Sequence, residues 1–98
     1  MASSPLRFGA FAPQGWKLEY LGWGAADAWT RTVELAQLTE QLGYDHLWVY
    51  DHVETVPRRE ATHVFEAFTT LAALSQRTTA IGLGQLVTCS SYRNAGLL

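Results

Sequence analysis

Short apolar runs alternate with segments of helical period along the chain, and this alternation constrains the fold more than any other feature. Residues 6–12 (LRFGAFA) read as a first strand, closed by Pro13-Gln14-Gly15. Proline cannot continue a central strand, and glycine permits the turn. Residues 16–24 form a loop rich in Gly, Trp and Tyr. Asp27 is placed to cap a helix over 27–42, in which Leu35, Ala36, Thr39 and Leu42 share one face. Gly43 then fits the position after a helix where a left-handed residue is needed. Residues 46–50 read as a second strand, 53–62 as a polar loop, and 63–76 as a second helix. Val64, Phe68, Leu71 and Ala72 make that helix's apolar stripe, widened by Phe65, Ala67 and Leu74. After the Arg77-Thr78-Thr79 connector, residues 80–88 (AIGLGQLVT) read as a third strand. Residues 89–93 are a loop, and 94–98 resemble the first turn of a further helix. Strand, helix, strand, helix, strand implies parallel pairing through right-handed crossovers, an α/β fold.

Three parallel strands leave two open edges, and a parallel sheet usually needs both faces covered. Two helices are a thin cover. Residues 1–98 therefore read as a single partial domain, the opening of a larger α/β unit, with self-association into a homo-oligomer expected. With 48% apolar and 16% charged residues and a net charge of −2, the balance is that of a soluble globular chain. Acidic and basic residues are interspersed, so no basic patch recruits nucleic acid. No apolar run approaches the ~18 residues of a membrane span. Cys89 is the only cysteine, which fits a reducing compartment, and Met1-Ala2-Ser3-Ser4-Pro5 has no apolar signal core. A cytoplasmic protein is expected. Gly82-Leu83-Gly84 is only a fragment of a dinucleotide-binding pattern.

Chemistry concentrates at Tyr44-Asp45-His46-Leu47-Trp48-Val49-Tyr50-Asp51-His52, an apolar run that ends in an adjacent acid and imidazole. The C-terminal end of a parallel strand is where α/β folds place their active groups. Successive strand residues point to opposite faces, but the turn at a strand end can aim both into the same mouth. An imidazole there is suited to giving or taking a proton, and a carboxylate to accepting a hydrogen bond. The plainer alternative is an acid capping the next loop beside a partly exposed histidine. Cys89 has no histidine beside it in sequence, and Arg93 reads as solvent-prone, so a small buried thiol is expected rather than a nucleophile. His46, His52 and His63 lack ligand-like spacing, so no metal site is expected. Trp16, Tyr20 and Trp23 either line a pocket or pack their loop. His63 and Glu66 read as outer-face or capping residues. Arg58-Arg59 reads as a solvated loop, with an anionic substrate as the other option.

RFGAFAPQG, LTEQLGYDHLWVYDHV, FEAFTTLAALSQRTTAIGLGQLVTC and SSYRNAGLL together cover nearly the whole chain. In their order and spacing, these segments resemble the luciferase-like monooxygenases, in particular the deazaflavin-dependent branch. The resemblance implies a (β/α)8 TIM barrel with FMN or the deazaflavin coenzyme F-420 at its C-terminal face. Such a barrel takes about 250 residues, so the chain would supply its first three strands and two helices. The later strands hold much of the family's phosphate site. The resemblance further implies His52 as a catalytic proton-transfer residue, and Asp51, Leu86, Val87 and Thr88 as cofactor-binding residues. A non-proline cis peptide at Leu86-Val87 would back the ring. The competing reading of that segment is an ordinary buried strand with Ile81, Leu83 and Val87 in the core. Two functions follow. One is an oxidoreductase or monooxygenase transferring hydride to a small organic substrate. The other is a non-catalytic barrel fragment stabilised by self-association.

Overall fold

The computed structural model describes residues 6–98, so the expectation for Met1-Pro5 lies outside the described residues. The chain is an α/β unit in the order β1 (Gly9–Phe11), α1 (Ala25–Gln41), β2 (His46–Val49), α2 (Ala67–Ser75), β3 (Gly82–Gln85). Single turns of 3-10 helix follow at Ser90–Tyr92 and Ala95–Leu97. The three strands form one parallel sheet in the order β1-β2-β3, as the alternation predicts. Two rows of the register are Gly9–His46–Gly82 and Phe11–Trp48–Gly84, with Ala10–Leu47–Leu83 between them.

Alternation along each strand gives the sheet two unlike faces. Ala12, Leu47 and Val49 are buried with Val33 and Ala36 of α1 and Ala67 and Leu74 of α2 in one hydrophobic core. On the opposite face the rings of His46 and Trp48 lie against glycines of the outer strands, with Phe11 in the same row as Trp48. A Cβ on Gly84 would lie 2.5 Å from Trp48 Cζ3, and one on Gly9 would lie 2.7 Å from Trp48 Nε1. A Cβ on Gly82 would lie 2.7 Å from His46 Cδ2. The glycines of the outer strands are thus the floor on which the rings of the middle strand lie. Gly82-Leu83-Gly84 is part of this packing and not a nucleotide loop.

Several boundaries differ from the expectations. The ladders are shorter than 6–12, 46–50 and 80–88, because the chain leaves the sheet at each strand end to make other bonds. Helix α1 starts two residues earlier than the expected cap. Its N-cap is Gly24, which has no side chain to donate to, and Asp27 sits in the first turn, where its charge suits the helix dipole. The buried stripe of α1 is Ala28, Thr32, Val33 and Ala36; Leu42 is 68% exposed. Helix α2 starts at Ala67 rather than 63, because the Phe65 amide donates to the carbonyl of Gln14 at 2.8 Å and is drawn out of helical geometry. Glu66 is its N-cap and accepts from the amides of Phe68 and Thr69. The stripe of α2 is Ala67, Thr70 and Leu74 with Leu71 beside them, while Phe68 and Ala72 face outward. Gly43 follows α1 with φ +87°, as expected. Among the described residues, no helix is long and apolar enough to cross a membrane.

The edge where the strands begin is tied by one carboxylate. Glu40, near the end of α1, accepts from the amides of Thr79, Ala80 and Ile81 through Oε2, at 2.9, 2.6 and 2.9 Å. Those three hydrogen bonds, led by Ala80, hold its carboxyl below the usual carboxylate range.

The glycine floor has a direct test. Gly84→Ala is expected to cost about 1–3 kcal/mol of stability in urea denaturation, because the indole cannot move off without losing its packing. In a Trp48→Ala background the same substitution should cost much less. Equal costs in both backgrounds would show that the indole is not what excludes the methyl group.

Candidate functional site

At the edge where the three parallel strands end, the chain opens a concavity of about 350 Å³ lined by Phe11, Tyr50, Asp51, His52, Leu86 and Val87. Each strand contributes the residues at or just past its last ladder position. A larger hollow of about 500 Å³ beside α2 is lined by Val53, Glu66, Phe68, Tyr92, Arg93 and Leu97. Its guanidinium and carboxylate are already paired with each other, so size alone does not select the site.

The frame of this edge is the amide of Gln14, which is fully buried. Its Nε2 donates to the carbonyls of Tyr50 at 2.9 Å and Phe65 at 3.2 Å, and its Oε1 accepts from the Tyr50 amide at 2.7 Å. One side chain therefore replaces the ladder partners that Tyr50 loses when β2 ends. The ladder continues elsewhere for one more bond on each side. Ala12 N donates to Trp48 O, and Leu86 N to Val49 O, both at 2.9 Å. Sequence reasoning passed over Gln14 as part of a turn. The available signal was a lone amide side chain between Pro13 and Gly15, next to an apolar strand.

Asp51 is buried and both of its oxygens are engaged. Oδ2 accepts from the Cys89 amide at 2.7 Å and from Arg93 Nη1, and Oδ1 accepts from Arg93 Nη2 at 2.7 Å. The other carboxylate on Arg93 is Glu66, whose Oε2 also accepts from Nη2. Arg93 also lies over the ring of Phe68, 4.6 Å from its centroid. Arg93 is therefore not solvent-prone: its side chain is 16% exposed and it ties the end of β2, the cap of α2 and the turn after β3 together. Hydrogen bonds from Arg93, acting against burial, hold the Asp51 carboxyl below the ordinary range. At Glu66 burial pushes the carboxyl up. The Thr69 amide, Arg93, the Thr69 hydroxyl and the Phe68 amide outweigh it, and the carboxyl falls from an ordinary 4.5 to about 2.

His52 is half-buried and stacks on Trp16, with ring centroids 4.0 Å apart and planes 9° apart. Trp16 meets Tyr50 edge-on at 4.8 Å, and Tyr50 stacks on Phe11 at 4.4 Å. Leu86 and Val87 are joined by a cis peptide bond and are 40% and 71% exposed, so Val87 is not a core residue. Thr88 does not line the concavity; its hydroxyl donates to Gln85 Oε1 at 2.9 Å. Cys89 is half-buried. The structure thus brings Asp51, His52, Leu86 and Val87 to one hollow, leaves Thr88 outside its lining, and adds Phe11 and Tyr50, with Trp16 stacked behind His52. Among the described residues, no three His, Cys, Asp or Glu side chains gather as a metal site.

An acid, an imidazole and aromatic rings thus collect at the carboxyl edge of a parallel α/β sheet, the edge at which such folds place their active groups. The chain belongs to the luciferase-like monooxygenase family, whose model matches residues 6–97. Membership points to a flavin-type oxidoreductase or monooxygenase. No curated protein and no solved structure matches the chain.

Two outcomes test the frame of the site. Gln14→Met keeps the volume but strands the amide and carbonyl of Tyr50, and is expected to cost about 2–4 kcal/mol in chemical denaturation. Acid should also loosen the edge. Asp51 and Glu66 have depressed values when folded, so their contribution is complete above the ordinary carboxylate range and is lost as pH falls. For Glu66 the window runs from 4.5 down to about 2. Melting temperature should fall through that window, and Glu66→Gln should flatten the slope. An unchanged slope would remove Glu66 from the network's account.

Proposed function

We propose that the chain is part of a flavin- or deazaflavin-dependent oxidoreductase, taking FMN or coenzyme F-420 at the carboxyl edge of its sheet. The observation that carries this reading is the convergence of Phe11, Tyr50, Asp51, His52, Leu86 and Val87 on one hollow. The sheet would then be the first three strands of a (β/α)8 barrel, with residues 1–98 a single partial domain of it. The substrate is a small organic molecule, the setting is cytoplasmic, and the assembly is a homo-oligomer.

The residues present fit the ring end of such a cofactor. Leu86, Val87 and Phe11 offer exposed apolar surface to a planar ring, with His52 at the margin as the polar group. No ammonium or guanidinium lines the hollow, since Arg93 is committed to two carboxylates. The fit therefore extends to the ring and not to a phosphate. Bound there, the cofactor supplies the hydride. Hydride delivery to a carbonyl or quinone carbon leaves an oxyanion that needs a proton, and His52 holds that proton at a ring nitrogen. Asp51 contributes to the cofactor site by fixing the chain from Cys89 to Arg93, which sets where Leu86, Val87 and Thr88 stand.

Titration with FMN and with the deazaflavin, followed by absorbance and fluorescence, tests the reading. Saturable uptake of one of them is expected. With a small quinone as acceptor, His52→Ala should lower turnover by ~10² or more and leave cofactor affinity nearly unchanged. Asp51→Ala should mainly weaken cofactor binding. No uptake of either cofactor would favour a non-catalytic barrel segment that associates with itself.

A further inference from the structure

We propose that Trp16 is a positioning residue for His52, fixing the imidazole plane at the wall of the hollow while leaving both ring nitrogens unbonded by the protein. The assignment rests on the reading of His52 as the proton-transfer residue. It starts from what does not hold His52. Among the described residues, neither ring nitrogen of His52 makes a hydrogen bond to the protein. A histidine placed for proton transfer usually has its orientation set through a hydrogen bond on the nitrogen remote from the reaction. Here the orientation is set through the ring faces and edges instead. The indole of Trp16 lies parallel to the imidazole at 4.0 Å, and Tyr50 meets it at 5.9 Å with planes 64° apart.

A stacking partner orients a ring only if it is itself fixed, and Trp16 is. It is 9% exposed. The residue before it, Gly15, has φ +101°, and a Cβ there would collide with the carbonyl oxygen of His63. No other residue fits that position. The residue before that is the buried Gln14, bonded to Tyr50 and Phe65. The carbonyl of Trp16 itself accepts from the Val56 amide at 2.8 Å. Gln14-Gly15-Trp16 is therefore a platform built across the loops after β1 and β2. It delivers an aromatic plane to the face of the residue just past β2. The neighbouring acid cannot do this work, because Asp51 spends both oxygens on Arg93 and Cys89.

Stacking leaves both nitrogens free to accept from or donate to a bound molecule, which a hydrogen-bonded histidine cannot offer. It also stops the imidazole from tilting out of the plane that the indole sets. Loss of the indole should therefore be felt in the transition state, where alignment matters, more than in binding.

The test has a structural and a kinetic arm. In proton NMR of the purified protein, the ring protons of His52 should be shifted upfield by the indole ring current. They should move to ordinary positions in Trp16→Leu and stay upfield in Trp16→Phe. With a small quinone as acceptor, Trp16→Leu should lower kcat by ~10-fold with cofactor affinity unchanged, and Trp16→Phe should restore most of it. Adding Trp16→Leu to His52→Ala should produce no further loss. If Trp16→Leu does not fold, the comparison of wild type with Trp16→Phe still reads the stack. Ordinary His52 shifts in the wild type would overturn the proposal, as would a Trp16→Leu effect confined to cofactor affinity or additive with His52→Ala. Upfield shifts in a protein that takes up neither FMN nor the deazaflavin would instead overturn the functional reading, leaving the stack in place.

Discussion

The buried amide of Gln14 is the constraint on which the rest of the carboxyl edge depends. A parallel strand that ends must hand its backbone groups to something else, and in this chain one side chain takes both groups of Tyr50. The same amide reaches Phe65 and so brings the second loop under the first. Helix α2 begins late because its preceding residues are held to Gln14, and Trp16 is where it is because Gln14 is anchored two residues earlier. Removing this group would leave the strands paired but their ends without a common frame.

Charge at the same edge is used for assembly before it is used for chemistry. Asp51, Glu66 and Arg93 come from three separate segments and pair in a half-enclosed setting, two carboxylates sharing one guanidinium. Such a network carries geometric information as much as stability, since paired ions gain little once their desolvation is counted. Its effect is to place the chain after β3 against the end of β2. The hollow is left with aromatic and aliphatic walls, one imidazole and an Asp51 whose oxygens are already taken. That division of labour, with ions around the site and rings within it, suits a planar apolar ligand.

Much of the architecture was legible in the sequence because it rests on period and punctuation. The strand and helix order, Gly43 after α1, and the placing of Asp51 and His52 at a strand end all follow from local pattern. What could not be read depends on partners far along the chain. Arg93 looks like an exposed loop residue until Asp51, 42 residues earlier, is seen to meet it. Glu66 reads as an outer-face or capping residue, and only the distant hold of Gln14 on Phe65 decides for the cap. The buried face of α2 differs from the expected stripe because its sequence, AFTTLAALS, is apolar on nearly every side, so period alone does not choose it. The short strands likewise reflect side chains, not propensity, taking over the terminal backbone groups.

The carboxylate of Glu40 bears on how such a chain comes together during synthesis. Its three amide donors lie 39 to 41 residues further on. The acceptor is carried on α1, so it leaves the ribosome with the first crossover, well before the amides that need it. The junction ahead of β3 is thus held to the end of α1 by a contact that cannot form until some forty further residues have been made, so the carboxylate waits for its donors.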